Sequence, residues 1–280
     1  MASWESLSFV SLTRDLIGAP GEIAENTGFR GAGWVLEPVF WPYSQNMGQS
    51  EDRSPVDITS TTSKEVAIHR LRRSQLPVAT AALARYLIGK IVVRDLPGLR
   101  MAGRIVETEA YPPRDPAAHH YRGETPRTRS MFLQPGHAYI YFSYGNHFML
   151  NVSAEVPGVG GGILIRALEP LEGIAEMERR RGTTRLYDLT RGPGRLAQAL
   201  DIDRTLQGVD LCASGPIWLG ELTSPRTPNT DHLELDRSVR LRMGVSRRIG
   251  ITKAAHRLLR FYERGSRFVS GTARLNSSRR

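Results

Sequence analysis

Apolar positions recur at regular intervals only from Pro77 onward. Ala79 to Lys90 shows helical spacing, and Ile91-Val92-Val93-Arg94 reads as a short strand. Leu96-Pro97-Gly98 is a turn signal, so this strand and the run from Arg100 to Tyr111 are expected to form a hairpin. Pro112 and Pro113 have no N–H to give to a ladder, so the second strand must stop at Tyr111 and a loop is expected to about Arg129. Tyr139 to Tyr144 is the next strand, and Phe148 to Ser153 continues it after a turn at Gly145-Asn146. Ile163 to Ala167 is a further strand, entered from the glycine-rich Pro157 to Gly162. Leu171 to Arg181 reads as a helix with Glu172, Glu176 and Arg180 at four-residue spacing, and Gly194 to Leu200 as a shorter one. Arg240 to Val245 and Arg260 to Tyr262 are strand-like. Without regular βαβ alternation, the expected class is α+β: a single mixed domain with a curved, mostly antiparallel β-sheet flanked by helices.

Residues 1 to 70 mix Gly, Ser, Pro, Asn and acidic residues without sustained periodicity and are expected to be a flexible N-terminal extension. Trp4, Trp34 and Trp41 fall there, which leaves room for a short docking segment around Trp34 to Tyr43. Residues 71 to 272 would form the folded domain, and 273 to 280 a basic tail. The 280-residue chain is 40% apolar, enough for a sizeable core.

Charge adds a partner class. The chain carries a formal +10, but residues 1 to 64 hold four cationic and eight acidic side chains, a balance of −4 that leaves +14 on the remainder. A basic domain attracts polyanions, nucleic acid above all, because phosphate contacts release counterions. Of the 38 cationic residues only Lys64, Lys90 and Lys253 are lysines, and arginine forks suit both phosphate oxygens and base faces. One cysteine, Cys212, excludes an internal disulfide and a cysteine-based zinc site. No run of 18 apolar residues occurs and the N-terminus lacks a signal pattern, so the expectation is a soluble, intracellular protein, cytoplasmic or nucleoid-associated if bacterial, with no membrane partner.

The chemistry concentrates between Arg104 and Asn151. Alternate side chains of a strand share a face, so Glu107, Glu109 and Tyr111 point the same way. Buried carboxylates must be solvated, paired with arginine, or used; surface pairing with a neighbour such as Arg104 is the plain alternative. Tyr139 and Tyr141 share one face of the later strand, Phe142 and Tyr144 the other, so one set can fill the core while the other meets a flat ligand. Buried tyrosine hydroxyls need partners, which makes this density costly as mere filling. His119 and His120 have a poor supply of further ligands nearby, and no metal is expected. Gly158 and Gly160 to Gly162 imitate a dinucleotide loop, but Ile163-Leu164-Ile165 follows where that fingerprint needs a helix, so it is rejected. Arg191-Gly192-Pro193-Gly194-Arg195 opens a helix and could meet a phosphate, or be only a loop and cap.

At these residues the chain resembles the alkyladenine DNA glycosylases, also called methylpurine or 3-methyladenine DNA glycosylases. The matches include Gly103 to Tyr111, Asp115-x-Ala117-x-His119, Thr125-Pro126-Arg127, Met131-Phe132, Tyr139-x-Tyr141, Tyr144-Gly145, Asn151, Arg166-Ala167-Leu168-Glu169-Pro170, Gly192-Pro193 and Leu259-Arg260-Phe261-Tyr262. Each is short, but they appear in family order from about residue 75 to 270. A loop one residue shorter than the family's makes His119, rather than His120, the match, and Leu258 stands where the family often has proline.

The resemblance implies a monofunctional enzyme of base excision repair. It would flip alkylated or deaminated purines (3-methyladenine, 7-methylguanine, hypoxanthine) from damaged double-stranded DNA and hydrolyse the N-glycosidic bond, as a monomer and without a cofactor. It implies Glu109 as general base with Arg166 positioning the water, and Tyr111, His119 and Tyr141 as the base pocket. Asn151 would crowd the exocyclic amine of guanine, and Tyr144 would intercalate into the gap left in the duplex. Arg127, Arg129 and Arg195 are candidate contacts to the DNA backbone. None of the three lysines falls in the matched site motifs, so no lyase activity through a Schiff base is expected.

Overall fold

The computed structural model describes residues 67–143, 145, 147–223, 243–272 and 276. The expectations for residues 1–66, the Trp34 to Tyr43 segment among them, for Tyr144 and Asn146, and for most of the tail lie outside the described residues. The strands are β1 (Ala67–Arg70), β2 (Ile91–Leu96), β3 (Leu99–Tyr111), β4 (Ala138–Ser143), β5 (His147–Ser153), β6 (Gly162–Glu172), β7 (Ile217–Thr223), β8 (Met243–Ser246) and β9 (Arg260–Glu263). The helices are α1 (Thr80–Tyr86), α2 (Ile174–Arg181), α3 (Leu186–Leu189) and α4 (Pro193–Ala199).

All named strands join one antiparallel sheet in the order β1-β7-β2-β3-β6-β5-β4, with β9 bridging β3 and β8. Few, short helices beside such a sheet make this an α+β domain. Its spine is β3, the longest strand, which leaves the expected hairpin with β2 after Arg104 and takes β9 on that same edge at Glu107 to Glu109. On its other edge β3 pairs with β6, with register shifts on either side of Glu107. Helices α1, α2 and α4 share a core with the sheet built from Leu83, Leu87, Ile105, Ile163, Leu168, Met177 and Leu196, all fully buried.

Three boundaries differ from the sequence pattern. The sheet already begins at Ala67, where β1 pairs with β7 from Ala67↔Thr223 to Arg70↔Gly220. Strand β6 runs on to Glu172, so α2 starts at Ile174 rather than Leu171. Gly173 separates them with φ +73, a conformation that suits glycine, and a Cβ there would stand 2.5 Å from the Arg100 carbonyl oxygen. Strand β7 has no counterpart in the pattern read above.

Candidate active site

The C-terminal end of β3 delivers three functional groups to one place. Glu107 and Glu109 are fully buried, and Tyr111 follows them on the same face. Arg166, from the middle of β6, links the two carboxylates: its Nε donates to Glu107 at 2.9 Å and its Nη1 lies 3.1 Å from Glu109. The plain alternative, in which Arg104 pairs with these glutamates, is not what occurs, because Arg104 binds Glu169 and Glu263 instead.

The two glutamates have different surroundings. Glu107 Oε1 accepts from Arg166, from Arg260 at 2.6 Å and from the Ser270 hydroxyl at 2.9 Å, while Oε2 accepts from the Ser270 N–H at 2.7 Å. Burial alone would raise its pKa, but the two guanidinium groups and the Ser270 bonds hold it below the usual carboxylate range. Glu109 shares only Arg166. Its remaining bonds are from the Ile249 N–H at 2.7 Å and the Tyr111 hydroxyl at 2.9 Å. There burial outweighs the arginine, and the carboxyl is pushed above its ordinary value. Tyr111 in turn is held in its neutral form, first by burial and then by the adjacent carboxylate.

A cavity of about 180 Å³ is walled by Tyr111, His119, Tyr139, Tyr141, Asn151 and Met131, with Gly250 and Ile251 also in its lining; Glu109 is fully buried and does not itself line it. The Tyr111 hydroxyl and the Ile249 amide connect the buried carboxylate to that wall. His119 sits on a 3-10 turn (His119–Arg122), its Nδ1 2.9 Å from the Tyr139 hydroxyl and its ring edge-on to Tyr141 at 4.4 Å. Desolvation of its packed side and the nearby Arg127 lower its pKa, so it enters the cavity wall as a neutral ring. His120 turns away: it is buried against Phe132, with Nε2 3.2 Å from the Pro112 carbonyl oxygen. Asn151 is buried, and its Nδ2 donates to the carbonyls of Tyr139 and Met149 at 3.1 and 3.3 Å.

Of the expected site residues, Glu109, Tyr111, His119, Tyr141, Asn151 and Arg166 are brought together. The three arginines expected on the DNA backbone are exposed. Arg127 stands 6.0 Å from the Tyr141 ring centre, Arg129 pairs with Glu124 at 3.2 Å, and Arg195 pairs with Asp188 at 2.8 Å. Arg191 is committed to the carbonyls of Val269 and Gly271. Among the described residues no group of three or more His, Cys, Asp or Glu is placed to hold a metal, and no helix is long and apolar enough to cross a membrane.

Sequence reasoning missed the second ring of partners. Asp115, buried, accepts from the Ala117 N–H at 2.9 Å and pairs with Arg248 at 2.8 Å and Arg257 at 3.2 Å, pinning the start of the His119 loop to the segment after β8. Arg248 also donates to the Ala110 carbonyl at 3.0 Å and lies over the Tyr111 ring at 4.5 Å. Asp115 stood inside a matched motif and so carried a signal; Arg248, Ile249 and Ser270 carried none, since their contacts join residues more than 130 positions apart.

A buried carboxylate and arginine joined through Tyr111 to a cavity walled by tyrosine and histidine can place a flat ligand near an acid–base group. The chain belongs to the family described as methylpurine-DNA glycosylase (MPG), whose model matches residues 74–267. Three relatives, each named "Putative 3-methyladenine DNA glycosylase", illustrate the similarity. The protein of Mesorhizobium japonicum is 61% identical over 201 residues, 72% of this chain and 90% of the relative. That of Paraburkholderia phytofirmans is 46% identical over 211 residues, covering 75% and 92%. That of Chlorobium phaeovibrioides is 42% identical over 205 residues, covering 72% and 97%.

Proposed function

We propose that this protein flips alkylated and deaminated purines, of the 3-methyladenine, 7-methylguanine and hypoxanthine class, out of duplex DNA and hydrolyses the N-glycosidic bond. The observation that carries the reading is Glu109: a fully buried carboxylate with a raised pKa, paired with Arg166 and hydrogen-bonded to Tyr111, which lines an aromatic cavity. Such a group takes a proton from water as the nucleophile attacks the anomeric carbon, and its charge stabilises an oxocarbenium-like transition state. Arg166 would orient both the water and the carboxylate.

Ordinary glycosidases pair two carboxyl groups, one as acid. Glu107 is a poor acid here, because its oxygens already accept four hydrogen bonds and its environment keeps it ionised. A purine alkylated at N3 or N7 leaves with its positive charge cancelled and needs no such acid. Tyr111, His119 and Tyr141 would stack the extruded base, as flat cationic or electron-poor rings favour aromatic faces. Asn151 would exclude the exocyclic amine of guanine by crowding. Tyr144 is assigned from its motif as the side chain that fills the vacated stack. Arg127, Arg129 and Arg195 would meet phosphates, the last two by exchanging their present carboxylate partners.

The protein is expected to act as a monomer and to leave the abasic strand uncut. Lys90 is engaged by Glu221 at 2.7 Å, and Lys253 is exposed beside the cavity, in a neighbouring pocket that shares Ala117, Gly250 and Ile251 with it, without lining the cavity itself, which supports hydrolysis without a Schiff base. Borohydride trapping of a covalent adduct with abasic DNA would contradict this. The deciding experiment measures abasic-site formation in duplexes carrying 3-methyladenine or hypoxanthine, with native protein and Glu109→Gln. Native protein inert on every alkylated purine would refute the function; equal release by the variant would refute only the role of Glu109.

A further inference from the structure

The aromatic wall of the cavity is backed by positive charge. Tyr111 lines the cavity, and the Arg248 guanidinium lies over the Tyr111 ring, 4.5 Å from its centre. Because Arg248 is fully buried and does not line the cavity, it is assigned to the ring face turned away from the ligand space. It is fixed there. Its side chain is fully buried, with Nη1 2.8 Å from Asp115 Oδ2 and Nη2 3.1 Å from Oδ1, and with Nη1 also donating to the Ala110 carbonyl. Asp115 does not neutralise the arrangement alone, because Arg257 draws on the same carboxylate at 3.2 Å, so two cations share one anion behind the ring. A second wall residue, Tyr141, has a cation nearby: the exposed Arg127 stands 6.0 Å from its ring centre.

A ring attracts a cation through the negative potential of its faces, worth the most where water is excluded. A guanidinium on the far face draws down the potential of the near one. The ring still offers area and dispersion to any flat base, charged or not. We propose that Arg248 is a specificity-determining residue: by covering the back of Tyr111 it weakens the wall's preference for positively charged bases and so widens acceptance to neutral purines. The inference rests on the glycosylase reading above and concerns the choice among its substrates.

The test compares kcat/KM for 7-methylguanine, a cationic base, and hypoxanthine, a neutral one, in the same duplex at the same salt. Arg248→Met should raise the ratio in favour of 7-methylguanine by about fivefold. Because that change leaves Asp115 with only Arg257, the double variant Arg248→Gln, Asp115→Asn is measured beside it, and thermal melting shows which of the two is folded. A merely structural role for Arg248 would depress both substrates alike and leave the ratio where it was. An unchanged ratio in the folded variant, a shift toward hypoxanthine, or native protein that releases 7-methylguanine but no hypoxanthine would overturn the proposal while leaving the glycosylase reading intact. Native protein that releases neither base would overturn that reading and the inference with it.

Discussion

The Tyr111 hydroxyl donates to Glu109 Oε2 at 2.9 Å, between two side chains that share one face of β3. The same tyrosine therefore walls the cavity and stabilises the ionised form of the buried carboxylate. Removing only the hydroxyl, in Tyr111→Phe, keeps the ring but takes a bond from the carboxylate, so the pKa of Glu109 should rise further. A base must be ionised to act, so activity falls as pH drops through that pKa. The acid limb of the kcat/KM profile should lie above the ordinary carboxylate range in native protein and move to higher pH in the variant. Superimposable profiles would contradict the coupling.

Glu109→Gln should separate activity from stability. Loss of the base should cost about 10²- to 10⁴-fold in lesion release. Its folded-state pKa is raised, so the folded protein binds a proton more readily than the unfolded chain and gains stability as pH falls through that value. Near neutral pH the ionised group is therefore a burden on the fold, and the amide should melt at the same temperature as native protein or higher. A lower melting temperature would argue against a strained carboxylate.

Glu107→Gln should behave in the opposite way. Its depressed pKa contributes stability that is present above the unfolded value and lost as pH falls through the folded one. Neutralising it leaves the buried Arg166 and Arg260 without their shared anion, a loss of about 3–5 kcal/mol. Urea unfolding at neutral pH measures this, and the native advantage should shrink toward acid pH. A midpoint equal to that of native protein would remove Glu107 from its central place in the network.

Gly194 in α4 packs against β5, where an added Cβ would stand 2.8 Å from His147 Cγ. Gly194→Ala should cost about 1–3 kcal/mol through overpacking, although alanine is the better helix former. Unfolding midpoints check the sign; a gain in stability would mean that His147 yields freely.

The β2–β3 hairpin, the end of β3 at Tyr111, and strands β4, β5 and β9 were legible because turn residues and proline act locally. So was the shared face of Glu107, Glu109 and Tyr111, which follows from strand geometry alone. Strand β7 was not, because Gly220 interrupts its apolar alternation and the strand is defined by partners more than 100 residues away. The two glutamates were equivalent by spacing, and the resemblance alone chose Glu109. Their difference in environment arises from Arg260 and Ser270, which converge on Glu107 from the end of the described chain. Arg248 was invisible for the same reason: nothing near position 248 announces a ring at position 111.

Residues Glu107 to Glu109 have ladder partners on both edges, Ala167, Ile165 and Leu164 on one side and Tyr262, Phe261 and Arg260 on the other. Two other sides of the cavity, the His119 turn and the Gly250-Ile251 segment, belong to no strand. Substitutions of the side chains that line the cavity from those segments leave the ladder bonds of the strand that carries the carboxylates in place, while Ile249 and Arg248 continue to tie the second segment to Glu109 and Tyr111. Descendants of such a fold are free to diverge in what the cavity accepts while inheriting the same buried carboxylates.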